Sequence, residues 1–223
     1  MTTPQLPQPP RAYRWTVLVL ISLAMFGNYY IYDAISPLAD LLALQLGFTD
    51  SNIGLLQAIY SIPNVFMVLI GGFIIDRLGT KKSTLIFAVL CLLGAAITAS
   101  SGKLEIMAAG RLVFGLGAES LIVAVTTAIA KWFKGKELSF AFGINLTIAR
   151  LGSFAALNSP TWAKHYFTNW QMPLFITVAA GVICVAGAIL YWILEENASK
   201  KYQVGHAGST DKVVIRDIFK FST

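Results

Sequence analysis

The sequence predicts an all-α membrane protein built from six transmembrane helices, and three observations carry that reading. Only 13% of its 223 residues are charged and 56% are hydrophobic, whereas soluble domains carry roughly 25% charged residues. An apolar excess of that size needs lipid as a solvent. Six segments each offer the roughly 20 mainly apolar residues that cross a bilayer, and lysine and arginine collect in alternate connections between them.

The spans fall at about 15–39, 52–75, 83–101, 105–131, 137–160 and 171–194. The first follows a polar, proline-rich start, Met1 to Pro10. That start is not read as a signal peptide, because no short apolar stretch with a small-residue cleavage site follows it. The second span ends in a glycine-rich turn, and the third runs from behind Lys82 to just before Lys103. The fourth ends at Lys131, the fifth begins behind Lys136, and the sixth ends at Glu195 and Glu196. The occasional Gly or Pro inside them is tolerated in membrane helices. Residues 1–14 are expected as a cytoplasmic N-terminal segment, 15–196 as the bundle and 197–223 as a cytoplasmic linker. In that linker Val214, Ile215, Ile218 and Phe219 fall on one face of a short helix at the membrane surface.

Of the 17 lysines and arginines, thirteen lie on one side: Arg11 and Arg14; Arg77, Lys81 and Lys82; Lys131, Lys134 and Lys136; Lys200, Lys201, Lys212, Arg216 and Lys220. Only Lys103 and Lys164 lie on the other. Both termini are therefore expected in the cytoplasm. The net charge of +6 is spread over short connections, which argues against a nucleic-acid partner. Cys91 and Cys184 sit in separate apolar runs and read as small packing residues. The sequons at Asn145 and Asn197 lie inside a span and on the cytoplasmic side, so both are chance matches. No metal-ligand cluster and no nucleophile–base pair is visible, and His165 and His206 lie outside the spans. Neither an enzyme nor a cofactor or metal is expected.

Four ionisable residues lie well inside spans: Asp33, Arg111, Glu119 and Arg150. Each costs about 2.5–3.5 kcal/mol at the bilayer centre, so such residues face an interior or a wet cavity. Glu119 stands about 18 Å from Lys131 along its helix, and Arg150 about 21 Å from Lys136; both reach the midplane. Gly115, Glu119 and Thr126 share one face of span four, and Gly143, Thr147 and Arg150 one face of span five. Two readings of Glu119 and Arg150 stand open. They form a permanent salt bridge, or they face a cavity and bind the two ends of a zwitterion, a carboxylate suiting an ammonium and a guanidinium suiting a carboxylate. Asp33, about 10 Å below the outer end of span one, and Arg111, about 12 Å below Lys103, are expected to pair in the outer leaflet. The alternative for Asp33 is a coupling proton. Asn28, Tyr29, Tyr30 and Tyr32 crowd span one, and some of them are expected to line the cavity.

Between spans two and three the chain reads Gly71-Gly72-Phe73-Ile74-Ile75-Asp76-Arg77-Leu78-Gly79-Thr80-Lys81-Lys82. This resembles the loop signature of the major facilitator superfamily, with Thr80 in place of a basic residue. Gly72 is expected to allow a close helix approach, Gly79 a tight turn, and Asp76 a contact at a helix end. In the family that contact latches two transporter halves, which implies that Gly72, Asp76, Arg77 and Gly79 are gating residues; Asp33 and Arg111 are expected in the same gating set. Arg111-Leu112-Val113-Phe114-Gly115-Leu116-Gly117 resembles a second superfamily pattern in span four, whose glycines permit close packing. Span five lacks the Gly-Pro pair of the antiporter signature.

Gly110 to Ser120, Trp132 to Leu138, Ala149 to Gly152, Tyr60 to Val65 and Tyr32-Asp33 together resemble the lysosomal dipeptide uniporter branch of that superfamily, over nearly the whole chain from about residue 15. The resemblance implies the amino-terminal half of a twelve-helix fold, made of two inverted three-helix repeats, with substrate held between halves. It implies that Glu119 holds a dipeptide's amino terminus and Arg150 its carboxylate, and that movement is down the gradient. Tyr29, Tyr32, Asn28 and Asn64 complete the expected substrate-binding set. The expected partners are a small zwitterion, the lipid bilayer and a carboxy-terminal half. No dileucine-type sorting signal is found near the N-terminus, which leaves plasma membrane, inner membrane and lysosome open. The chain stops at Thr223, where a seventh span is expected to begin, and reads as a fragment or a natural half. A non-transporting membrane subunit and a proton-coupled transporter of another small organic solute remain the alternatives.

Overall fold

The computed structural model describes residues 7–203; the surface helix expected at 213–221 lies outside them. The described residues are mostly helical, with no strand among them. The helices are α1 (Arg11–Asp33), α2 (Ala39–Leu46), α3 (Asp50–Ala58), α4 (Ser61–Leu78), α5 (Thr80–Ser100), α6 (Leu104–Trp132), α7 (Lys136–Leu157), the single turn α8 (Ser159–Trp162) and α9 (Gln171–Lys201). Six helical runs are long and apolar enough to cross a membrane, so the chain is an integral membrane protein.

The first two spans are broken. Span one passes from α1 through a 3-10 turn at Ser36–Leu38 into α2 and reaches Leu46, beyond the expected residue 39. Pro37 sits in that turn, where its missing N–H interrupts the ladder at little cost. Gly47 closes α2 with φ 69°, a left-handed conformation suited to glycine. Thr49 then opens α3 with a reciprocal side-chain cap to Asn52. Span two breaks at Ile59 and Tyr60, and Pro63 lies in the first turn of α4. Span five ends at Leu157 rather than residue 160, because Pro160 belongs to the separate turn α8. The sixth helix runs on to Lys201, so residues 197–201, expected as linker, are helical.

The packing follows a circuit. α5 lies along α6 and α9, α1 lies between α7 and α9, and α4 lies along α6. Exchanging spans one, two and three for four, five and six maps this pairing onto itself, as two three-helix repeats require. Small residues bring the backbones together. A Cβ on Gly117 would lie 2.6 Å from the Phe87 carbonyl oxygen, and one on Gly94 2.4 Å from the Phe114 nitrogen. A Cβ on Gly27 would meet the Ala180 carbonyl at 2.3 Å. The main core joins Leu18, Ile21, Phe87, Phe114, Leu121 and Tyr191, all fully buried. A separate outer cluster gathers Leu38, Leu42, Leu56 and Met107.

The two edges of the circuit are α4 and α7. Only 22% of span two's most apolar stretch is buried, which leaves Val65, Phe66 and Leu69 facing outward. The Gly71-Gly72 pair lies here, and the close approach belongs to Gly71. A Cβ there would meet the Ser120 Oγ at 2.5 Å, while nothing lies within 4 Å of Gly72. One residue is a 100° rotation on a helix, so of the two glycines only one faces α6. Gly79 has φ 79° and turns the chain from α4 into α5. Asp76 and Arg77 are exposed at the end of α4, with no ion pair among the described residues.

Candidate functional site

A cavity of about 140 Å³ opens where α1, α6 and α7 meet, lined by Asn28, Tyr29, Tyr32, Glu119, Ile122 and Arg150, with Ala118 at its back. Glu119 and Arg150 therefore face one space, although α6 and α7 touch each other only lightly and both pack on α1. No ion pair joins them within 4.0 Å. The Arg150 guanidinium carbon instead lies 5.2 Å from the centre of the Tyr29 ring. α7 is seated on α1 at Gly152, where a Cβ would come within 2.2 Å of the Phe26 carbonyl oxygen. Phe26 is three residues before Tyr29, on the same face of α1, so this contact sets Arg150 above that ring.

Asn28 is buried at the back of the cavity, and its amide serves the bundle. Its Nδ2 donates to the Ala118 carbonyl at 3.3 Å, and the Cys91 thiol donates to its Oδ1 at 3.6 Å. Cys91 and Cys184 are free and fully buried. Asn64 does not line this cavity; its Oδ1 is buried without a hydrogen-bond partner. Asn145, the sequon asparagine of span five, is buried and accepts from the Ser22 hydroxyl at 3.0 Å. Tyr30 points away from the cavity into a small cluster with Ala156 and Ala180.

The expected Asp33–Arg111 pair is absent: no ion pair joins them within 4.0 Å. Arg111, 2% exposed, donates from Nε to the Leu56 carbonyl at 3.0 Å, from Nη1 to Ile31 at 2.9 Å and from Nη2 to Tyr32 at 3.0 Å. These carbonyls lie at the end of α1 and beside the break in span two, where helix carbonyls lose their partners and the helix dipole is negative. The guanidinium is thus a knot that ties both breaks to α6. It also lies 5.0 Å over the Tyr60 ring and 5.1 Å over Phe114. Tyr60 packs edge-on to Tyr32 at 4.9 Å, and Tyr32 lies 6.2 Å from Tyr29. A ladder of three tyrosines therefore joins the knot to the cavity. The two span-four glycines serve different neighbours: a Cβ on Gly115 would strike the Tyr60 carbonyl at 2.3 Å, while Gly117 meets α5.

A second polar cluster, missed from the sequence, closes the end of the bundle that carries Lys131. Glu195, 3% exposed, accepts from Lys131, from the Tyr191 hydroxyl, from the Trp132 Nε1 at 3.0 Å and from the Thr80 hydroxyl at 3.3 Å. Thr80, which stands where the loop signature has a base, is buried and joins α5 to α9. Lys81 pairs with Glu196 beside it, and Arg14 with Glu137 at 2.9 Å. The available signal was Tyr191 one turn before Glu195, together with adjacent Lys131 and Trp132. Among the described residues no group of three His, Cys, Asp or Glu gathers as a metal site.

Comparison with known proteins gives the geometry a family. The sequence profile of the Major Facilitator Superfamily matches residues 21–221. The chain is 40% identical to the human protein named lysosomal dipeptide transporter MFSD1, over 98% of this chain and 50% of that protein. It is 35% identical to the mouse protein of the same name, over 95% and 48%. The hexuronate transporter of Escherichia coli strain K12 is 26% identical over 82% of the chain and 42% of its own length. The chain thus spans about half the length of the curated relatives it matches. Its fold superposes on a crystal structure of a mutant peptide transporter, POT, in complex with sulfate, with a TM-score of 0.65 at 16% identity, covering 97% of this chain and 44% of that one. Fold, profile and relatives agree, and the chain belongs to the major facilitator superfamily.

Proposed function

We propose that this chain forms the amino-terminal half of a secondary transporter for small zwitterions, dipeptides foremost, which works by alternating access with a carboxy-terminal half. The observation that carries the reading is Glu119 and Arg150 on the wall of one cavity without an ion pair between them. An uncommitted acid and an uncommitted base offer one partner to an ammonium and another to a carboxylate. The names of the mammalian relatives support dipeptides as the zwitterion. The thirteen basic residues that the sequence gathers in alternate connections and the terminal segments support cytoplasmic termini.

Labelled alanylalanine uptake into proteoliposomes holding both halves tests the proposal. Glu119→Gln and Arg150→Ala should each lower affinity at least about tenfold, since a hydrogen bond to a charged group is worth about 1.5–3 kcal/mol. Unchanged affinity in both variants refutes the reading. A second reading, a sugar acid as substrate, is favoured by the hexuronate relative. Glu119 weighs against it, because a carboxylate in the cavity repels a substrate that is only anionic. Hexuronate uptake that improves in Glu119→Gln would favour that second reading.

A further inference from the structure

We propose that Tyr29 is a positioning residue: its ring parks the Arg150 guanidinium away from Glu119 and so keeps the cavity's two charges apart for the two ends of the substrate. The inference rests on the zwitterion reading for its purpose, though not for its geometry.

Opposite charges facing a cavity of about 140 Å³ attract and, within reach, close on each other. Here they do not, and the guanidinium lies over Tyr29 at 5.2 Å instead. An ion pair wetted by solvent has a small net worth, and a cation over an aromatic face is of similar size, so a fixed ring competes with the carboxylate on equal terms. The ring is fixed. Tyr29 leans on Tyr32, Tyr32 meets Tyr60 edge-on at 4.9 Å, and Tyr60 lies under Arg111, which three backbone carbonyls hold. From the other side, Gly152 locks α7 against the Phe26 carbonyl. Ring and guanidinium thus meet because two rigid contacts bring them there. A substrate that takes Arg150 from an aromatic face breaks no salt bridge and strands no carboxylate.

The test uses the full-length transporter, with its substrate-free structure and its alanylalanine affinity measured side by side. In Tyr29→Leu the guanidinium should move within 4 Å of Glu119, and the Kd should rise by up to about fivefold, the worth of the solvent-wetted ion pair that the substrate must then break. Tyr29→Phe keeps the aromatic face and should restore both. In a Glu119→Gln background Tyr29→Leu should cost less than about twofold more, because no carboxylate remains to capture the arginine. Thermal melting confirms that each variant folds, and the double variant carries the test should Tyr29→Leu alone melt low. An unmoved guanidinium in Tyr29→Leu overturns the inference. So does a Tyr29→Phe variant that behaves like Tyr29→Leu, or a full loss that persists beside Glu119→Gln. The guanidinium position is read without substrate, so it decides this inference even where Glu119→Gln and Arg150→Ala bind dipeptide normally and the zwitterion reading fails.

Discussion

The Nε–H of Arg111 donates to the carbonyl of Leu56 at 3.0 Å, which ties the fourth span to the break in the second. With Ile31 and Tyr32 the guanidinium satisfies three carbonyls from two helices, at a depth where no water replaces a lost bond. Arg111→Leu is expected to destabilise the protein by about 3–5 kcal/mol, since three buried carbonyls lose a charged donor. Arg111→Lys should recover less than half of that loss, because an ammonium cannot span the three acceptors of a planar fork. Asp33→Asn should stay within about 0.5 kcal/mol. Denaturation of the purified protein in detergent measures all three, and equal losses for Arg111→Leu and Asp33→Asn would bring back the ion pair.

Gly152→Ala places a methyl group 2.2 Å from the Phe26 carbonyl oxygen, with backbone on both sides of the contact. Neither helix yields cheaply, so α7 must move off α1. The expected cost is about 1–3 kcal/mol, and Arg150 moves with the helix, so dipeptide affinity should fall as well. Gly143→Ala is the control on the same helix, since nothing lies within 4 Å of its added Cβ, and its stability should match wild type. Equal melting of the two variants would contradict the close seat of α7.

Glu195 is the junction of the cluster around Lys131. Glu195→Leu removes the acceptor for Lys131, Trp132, Tyr191 and Thr80 at once, leaving a cation without its partner. A loss of about 3–5 kcal/mol is expected for breaking such a pair. Glu196→Ala removes only the half-exposed contacts to Lys81 and, at 3.9 Å, to Lys200 and should cost about 0–1 kcal/mol. Melting curves that rank these two variants the other way would place the junction elsewhere.

Six spans were legible because bilayer thickness is a hard constraint on apolar length. That Glu119 and Arg150 lie at a similar level on one cavity was legible because depth along a helix is arithmetic at 1.5 Å per residue. Azimuth is not arithmetic, and the misreadings share that cause. Asp33 and Arg111 matched in depth, yet the arginine points at carbonyls that became available only once span one broke near Pro37 and span two near Pro63. Asn64 matched the polar character of the cavity but lies on α4, which does not line it. Gly72 was chosen over Gly71, a difference of one residue and a quarter of a turn. Glu195 read as the polar end of an apolar run, although its burial depends on partners 63 to 115 residues away.

Ile122 lines the cavity one turn from Glu119, while its neighbour Leu121 is fully buried in the core. In Ile122→Cys a membrane-impermeant thiol reagent should react, and alanylalanine at ten times its Kd should slow the reaction about tenfold, the factor by which occupancy depletes the free site. Leu121→Cys should stay unlabelled. The native Cys91 and Cys184, both fully buried, should be inert without any need to remove them, since a structural thiol packed in the core is out of the reagent's reach. Neither charge is altered in Ile122→Cys, so transport can be followed in the same vesicles. Labelling that ignores the dipeptide, or that reaches Cys91 first, would mean that the space between Glu119 and Arg150 is not on the substrate's path.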